Sequence, residues 1–199
     1  MMLVVALSAG VFAFSGSSRA DTSAVTGSAF GYYAYDIVIF GGAQDDTGPT
    51  PVVVLPSGGS ATPVSASAPS GVVQYGPATL FSSGPLEVST QGATGEAGSV
   101  TSSTDIQDVN TSGQEVFTAS NVSSTCTASE AGVSGSTTII DGTLQTSEGD
   151  PNVEGDETVV TIPTNPAANT AYEGTIESVG DSFRYVFNEQ TTNADGSLT

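Results

Sequence analysis

Beyond residue 20 this chain consists of short β-branched and aromatic runs, each cut off by Gly, Pro, Asn, Asp or Ser, and none of it repeats its apolar residues every 3.6 positions. A helix built from such a sequence has no apolar stripe to bury, whereas Val, Ile, Thr, Tyr and Phe suit a pleated, half-buried surface. The expected fold is therefore all-β, an antiparallel β-sandwich or barrel-like domain of about 8–10 short strands. The 199 residues are enough to bury a sizeable core in one domain.

The first strand is expected over Ala29–Phe40 (AFGYYAYDIVIF), which Gly41-Gly42 ends. Residues 48–70 are rich in Pro, Ser and Gly and read as a loop, with Val52–Leu55 clamped between Pro51 and Pro56 as an edge strand or a crossing segment. Further strands are expected at Gly71–Tyr75, Ala78–Thr90, Ser99–Val109, Gln114–Thr127, Gly132–Ile140, Glu157–Ile162, Tyr172–Val179 and Phe183–Phe187. Gly180-Asp181 has the composition of a two-residue hairpin turn. That turn would set Glu177 opposite Arg184, Ile176 opposite Tyr185 and Gly174 opposite Phe187. Ile176, Phe183, Tyr185 and Phe187 would then share the core face. On that reading Tyr185→Ala costs about 3–5 kcal/mol if the ring is fully buried, and Arg184→Ala less than ~1.

Residues 1–20 read as a signal peptide: an apolar stretch from Met2 to Phe14, small polar residues, and Ser18-Arg19-Ala20 as a cleavage site before Asp21. The apolar stretch is too short for the ~20 residues that span a bilayer. Residues 21–199 then form a single β-rich domain. Removing the leader takes away Arg19 and no acid, so 21 acidic residues face Arg184 alone. A surface of that charge repels nucleic acid and anionic lipid. The chain also has no histidine and no lysine. Imidazole general bases, imidazole metal ligands and Schiff-base chemistry are therefore unavailable; the expectation is no enzyme, with a carboxylate-only hydrolase as a distant third reading.

Three phrases carry a family resemblance: GSVTSSTDIQDV from Gly98, FTASNVSSTCTAS from Phe117 and GVSGSTTIIDG from Gly132. With FNEQ at Phe187–Gln190 and the closing ADGSLT, they resemble the choice-of-anchor P family of secreted bacterial surface proteins, over about half the chain. The resemblance implies export, a β-rich domain displayed at the cell surface or cell wall, and an anchor that varies between members. It also implies that the complete protein runs past Thr199 into a further strand with a histidine and, near its end, a cysteine. The 199 residues would then lack the last strand and the anchor, and Cys126 would form a disulfide with a partner beyond Thr199. The resemblance brings a location and an architecture rather than an activity.

Among local patterns, the acid run 148–157 offers the best candidate site. Asp150, Asn152, Glu154 and Asp156 alternate oxygen ligands around Gly155, as the start of a calcium loop does. Glu154 is longer than the usual ligand there, Thr161 replaces the bidentate Glu, and a strand follows instead of a helix, so an EF-hand is excluded. A calcium-binding β-connection and a solvated acidic loop both remain open. Asp46-Thr47-Gly48 copies the aspartic-protease triplet without a second copy or a preceding hydrophobic strand, and reads as a turn. Asn110-Thr-Ser and Asn121-Val-Ser are glycosylation sequons in a eukaryotic secretory setting. Tyr32, Tyr33, Tyr35 and Phe40 would make a sugar-stacking face if they lay together, but alternation sets Phe30 and Tyr32 on one face against Tyr33 and Tyr35 on the other, which favours core packing. The functional expectation is a non-enzymatic, exported structural or adhesive β domain whose partner is the cell envelope or an extracellular ligand, with a calcium- or carbohydrate-binding module as the alternative.

Overall fold

In the computed structural model, residues 9–11, 22–37, 45–147, 157–176, 180–193 and 198–199 are described. The architecture is all-β and sandwich-like, with no helix among the described residues. One sheet has the order β1 (Ala9–Val11), β2 (Gly27–Ile37), β3 (Asp45–Val54). The large sheet holds β4 (Ser60–Ala68), β5 (Gly71–Tyr75), β6 (Ala78–Ser83), β7 (Leu86–Ala93), β8 (Ser99–Thr111), β9 (Glu115–Ser129), β10 (Gly132–Ile140), β11 (Thr143–Ser147) and β12 (Glu157–Thr161). A separate hairpin pairs β13 (Thr170–Ile176) with β14 (Asp181–Phe187). All pairings are antiparallel.

The long β8–β9 pair is the spine. Val100, Ser102, Thr104 and Ile106 lie opposite Ala128, Cys126, Ser124 and Val122, and all eight are buried. Their alternation with half-buried residues puts one face of the pair inward, as period-2 patterning requires. β2 lies across β7 and β8 so closely that a Cβ on Gly27 would meet Val100 Cγ1 at 2.5 Å and Thr90 Oγ1 at 2.8 Å. Only glycine permits that approach. Tyr32, Phe81, Leu86, Ile106, Phe117, Leu144, Phe183 and Phe187 belong to one core cluster, which joins both sheets and the hairpin. The buried hydroxyls on the inner face are satisfied locally: Thr90 bonds Ser102 at 2.8 Å, Thr104 donates to the Phe30 carbonyl at 2.9 Å, and Ser124 bonds Thr137 at 3.0 Å.

Three expectations need correction. The 48–70 stretch is not a loop: β3 covers its start and β4 its second half. Among the described residues β4 pairs only with β7, and Pro63 falls inside the register shift between Ser60 and Val64. An edge bulge is where a missing N–H costs no ladder bond. Ala78–Thr90 is two strands, not one, because Gly84-Pro85 interrupts it. Third, the final hairpin sets Ile176 opposite Asp181, so four residues connect its strands instead of two. Arg184 therefore faces Glu173, with Nε 2.6 Å from Oε1, and not Glu177, which lies outside the described residues. The observed register seats the Phe183 ring over Gly174, where a Cβ would lie 2.6 Å from the ring, and brings Tyr172 opposite Tyr185. The slip is an even number of residues, so side chains keep their faces. Phe183 and Phe187 are buried and Tyr185 is half-buried, as the apolar pattern requires.

Candidate functional site

The sequence singled out the acid run first. Asp150, Asn152, Glu154 and Asp156 lie outside the described residues. Their flanks are fixed: β11 and β12 pair from Thr143 opposite Thr161 to Ser147 opposite Glu157, so the run is the connection of a hairpin. Among the described residues no three carboxylate or thiol side chains converge as a metal cage would require. Asp46-Thr47-Gly48 lies in β3, with Thr47 opposite Ala34, so the triplet is part of an edge strand and not the turn expected of it.

Cys126 sits mid-strand on β9, between Ser102 of β8 and Gly135 of β10. It is buried, and that burial pushes the thiol pKa up, which disfavours a nucleophilic thiolate. Its Sγ lies 4.0 Å from the Leu198 carbonyl oxygen. The adjoining cavity, lined in part by Gly135, Asn188, Gln190 and Leu198, measures about 20 Å³, room for no more than a water.

The family-like phrases have structural roles. Three of them are the adjacent strands β8, β9 and β10. On this sheet hydroxyls pair across strands, Ser89 with Ser103 at 2.8 Å, Thr101 with Thr127 at 3.3 Å and Thr118 with Thr143 at 2.8 Å. In FNEQ, Gln190 Nε2 donates to the Gly135 carbonyl and to Asn188 Oδ1, each at 2.9 Å, while Asn188 Nδ2 donates to the Pro166 carbonyl at 2.9 Å. These amides fasten the C-terminal segments along the β10 edge, which would otherwise stand open. Of the sequons, Asn110 is exposed, whereas Asn121 donates to both carboxylate oxygens of Asp105, at 3.0 and 3.1 Å.

The tyrosines split over both faces as alternation requires, Tyr32 against Tyr33 and Tyr35, and only Phe30 changes sides. Ala29, Gly31, Tyr32 and Ala34 are buried, whereas Phe30 and Tyr33 are half-buried and Tyr35 is exposed. The consecutive buried pair Gly31-Tyr32 shifts the alternation, and a register irregularity follows at once between Tyr32 and Ala34. Tyr32 thus packs its ring 5.1 Å from Phe81 and donates its hydroxyl to the Val72 carbonyl at 3.2 Å. Phe30, Tyr33 and Tyr35 share the outer face, beside the exposed Val52 and Val54. The Tyr33 and Tyr35 rings are 5.1 Å apart. Phe40 lies outside the described residues. Alternation pairs Tyr33 with Tyr35, but it could not place Phe30 beside them, because a local break in alternation leaves no mark in composition.

Glu115 is the acidic residue that sequence reasoning overlooked. Its Oε1 is buried without a hydrogen-bond partner, and burial raises the carboxyl pKa. The folded chain thus holds this proton more tightly than the unfolded chain. The stabilisation is fully present below the unfolded pKa and is lost as pH rises through the raised folded value. Glu115→Gln should therefore raise the melting temperature at pH 7 and change it little at acid pH, as followed by thermal unfolding. An equal shift at both pH values would contradict this account.

Compared with known protein families, characterised proteins and solved structures, the chain matches none.

Proposed function

We propose that this chain is an exported, non-enzymatic β domain, of the choice-of-anchor P kind, that serves as a structural or adhesive component of a bacterial cell surface. The observation that carries this reading is the inner and outer use of hydroxyls on β7–β10. Residues that would be nucleophiles or ligands elsewhere are spent on pairing with one another across strands. An acidic sheet whose hydroxyls pair with one another in this way suits a scaffold displayed in water. The test is protease shaving of intact cells that make the protein, with N-terminal sequencing of the exported form. Release by shaving and a start at Asp21 are expected; a protein that stays inside cells and begins at Met1 overturns the reading. The half-cystine role of Cys126 belongs to the same proposal, and a free thiol in the complete exported protein, by non-reducing mass spectrometry, would remove it.

A binding module is the second reading, and two observations favour it. The acid run joins paired strands, which would hold alternate oxygen ligands at a fixed mouth for calcium. The Tyr33–Tyr35 pair on an exposed strand face offers a stacking platform for a neutral sugar. Excess calcium is expected to raise the melting temperature, and Asp150→Asn with Asp156→Asn to abolish the rise. No calorimetric heat and no shift would exclude calcium. A glycan array on which Tyr35→Ala binds as well as the unsubstituted protein would exclude the sugar platform.

A further inference from the structure

Although residues 1–20 read as a leader, Ala9–Val11 is a strand of the fold. β1 pairs with the start of β2, Ala9 opposite Ala29, Gly10 opposite Ser28 and Val11 opposite Gly27, and it also rests against β8 and β9. The backbone groups it meets follow from β2's other neighbour. Leu55 N–H donates to the Gly27 carbonyl at 2.8 Å, so Gly27 bonds towards β3. The next residue, Ser28, therefore turns its N–H and C=O to the opposite edge, where Gly10 sits. Phe30, two residues on, offers its carbonyl on that side to the Thr104 hydroxyl. The inward row of β8 and β9 is Val100, Ser102 and Thr104 opposite Ala128, Cys126 and Ser124, buried and without a charge.

We propose that loss of the leader turns this β2 edge into a strand-accepting slot, filled in the exported protein by an extended, uncharged strand of another polypeptide in the place of β1. This rests on the export reading above. The seated strand itself argues for the occupant: Ala-Gly-Val is small and neutral, and in a chain with 21 acids the row beneath is neutral too. Strand addition draws its affinity from main-chain bonds, here those of Ser28, and its specificity from which side chains the floor admits. Left empty, an edge of this kind pairs with other chains indiscriminately.

The test keeps the full chain and displaces β1 with Ala9→Asp and Val11→Asp, followed by amide hydrogen exchange at Ser28. The substituted chain should exchange Ser28 at least ~10-fold faster than the unsubstituted one, and a synthetic peptide of residues 6–14 should restore the protection. The same peptide carrying the two aspartates should not. Equal exchange at Ser28 in the two chains overturns the slot, as does peptide rescue that ignores the aspartates. Protection that returns with protein concentration alone gives the slot to a second copy and overturns the proposed occupant. N-terminal sequencing decides leader cleavage separately, so failure of the export reading and failure of the slot are distinguishable.

Discussion

Phe187→Ala is expected to destabilise the protein by about 3–5 kcal/mol and to release the β13–β14 hairpin from the sheet before the rest unfolds. Phe187 is buried, with its ring 5.0 Å from Phe117 of β9, 5.7 Å from Tyr172 and 6.4 Å from Tyr185. The hairpin forms a two-stranded sheet of its own, and no ladder joins it to the large sheet among the described residues. Two strands alone are marginal in water, so the docked aromatic side chains must hold it. Tyr185 is half-buried and shares its hydroxyl with Thr111 at 3.3 Å, so Tyr185→Ala should cost less than Phe187→Ala. Arg184→Ala should cost less than ~1 kcal/mol, because its pairing with Glu173 is solvent-exposed. Denaturant unfolding with hydrogen exchange on β13 and β14 would test the order. Arg184 ranking above Phe187 would mean that charge, not ring packing, secures the hairpin.

The same hairpin shows how far the sequence could be read. Alternation fixed the faces, because an inward aromatic at every second position survives any even slip. It could not fix the partner. Gly180-Asp181 satisfies a two-residue turn on local grounds, and only the third dimension reveals that the Phe183 ring needs Gly174 beneath it. Gly71–Tyr75 and Gly132–Ile140 were legible to the residue because both are β-rich runs between turn residues. β4 was not: Ser-Ala-Thr-Pro-Val-Ser-Ala-Ser-Ala has almost no apolar bulk, and it becomes a strand because β7 offers a free edge. β11 escaped for a related reason. It continues the β10 register along β9 after a break at Asp141-Gly142, where Asp141 adopts φ +53° and Ser120 donates to its carboxylate at 2.9 Å. That break looks like an end in the sequence.

The candidate site was less legible than the fold, and for physical reasons. Ligand spacing in the acid run is a local property, so a motif can be recognised there without its geometry. Tyr33 and Tyr35 fall together by alternation alone, but Phe30 joins their face because Gly31 and Tyr32 are both buried, and Gly31 is packed so tightly that a Cβ there would meet atoms of Thr50, Pro51 and Leu86 at 2.7 to 3.0 Å. Glu115 gave no signal at all, since its burial comes from a fold in which an acid at the start of β9 is covered from outside its own strand.

Phe81→Ala should be as damaging as Phe187→Ala, about 3–5 kcal/mol, but global instead of local. Phe81 is fully buried on β6, opposite Val73 of β5 and Thr111 of β8. Its ring is tilted 38° against Tyr32 of β2, which makes it a contact between the two sheets. Leu80 beside it is buried as well, although neighbours in a strand normally point to opposite faces. The register shift opposite, between Val73 and Gln74, accompanies that departure. The cavity left by alanine would lie among Val73 of β5, Thr111 of β8 and the Tyr32 ring of β2, which are held by different strands, so it would not collapse. Tyr32 would lose the ring that supports it, while its hydroxyl remains bonded to Val72. Both sheets should therefore unfold in one transition at lower denaturant, with hydrogen exchange accelerated in β2 and β8 together. Val54→Ala, at a residue 66% exposed, should change stability by no more than ~0.5 kcal/mol. If Phe81→Ala cost no more than Val54→Ala, the sheets would not be joined through this ring.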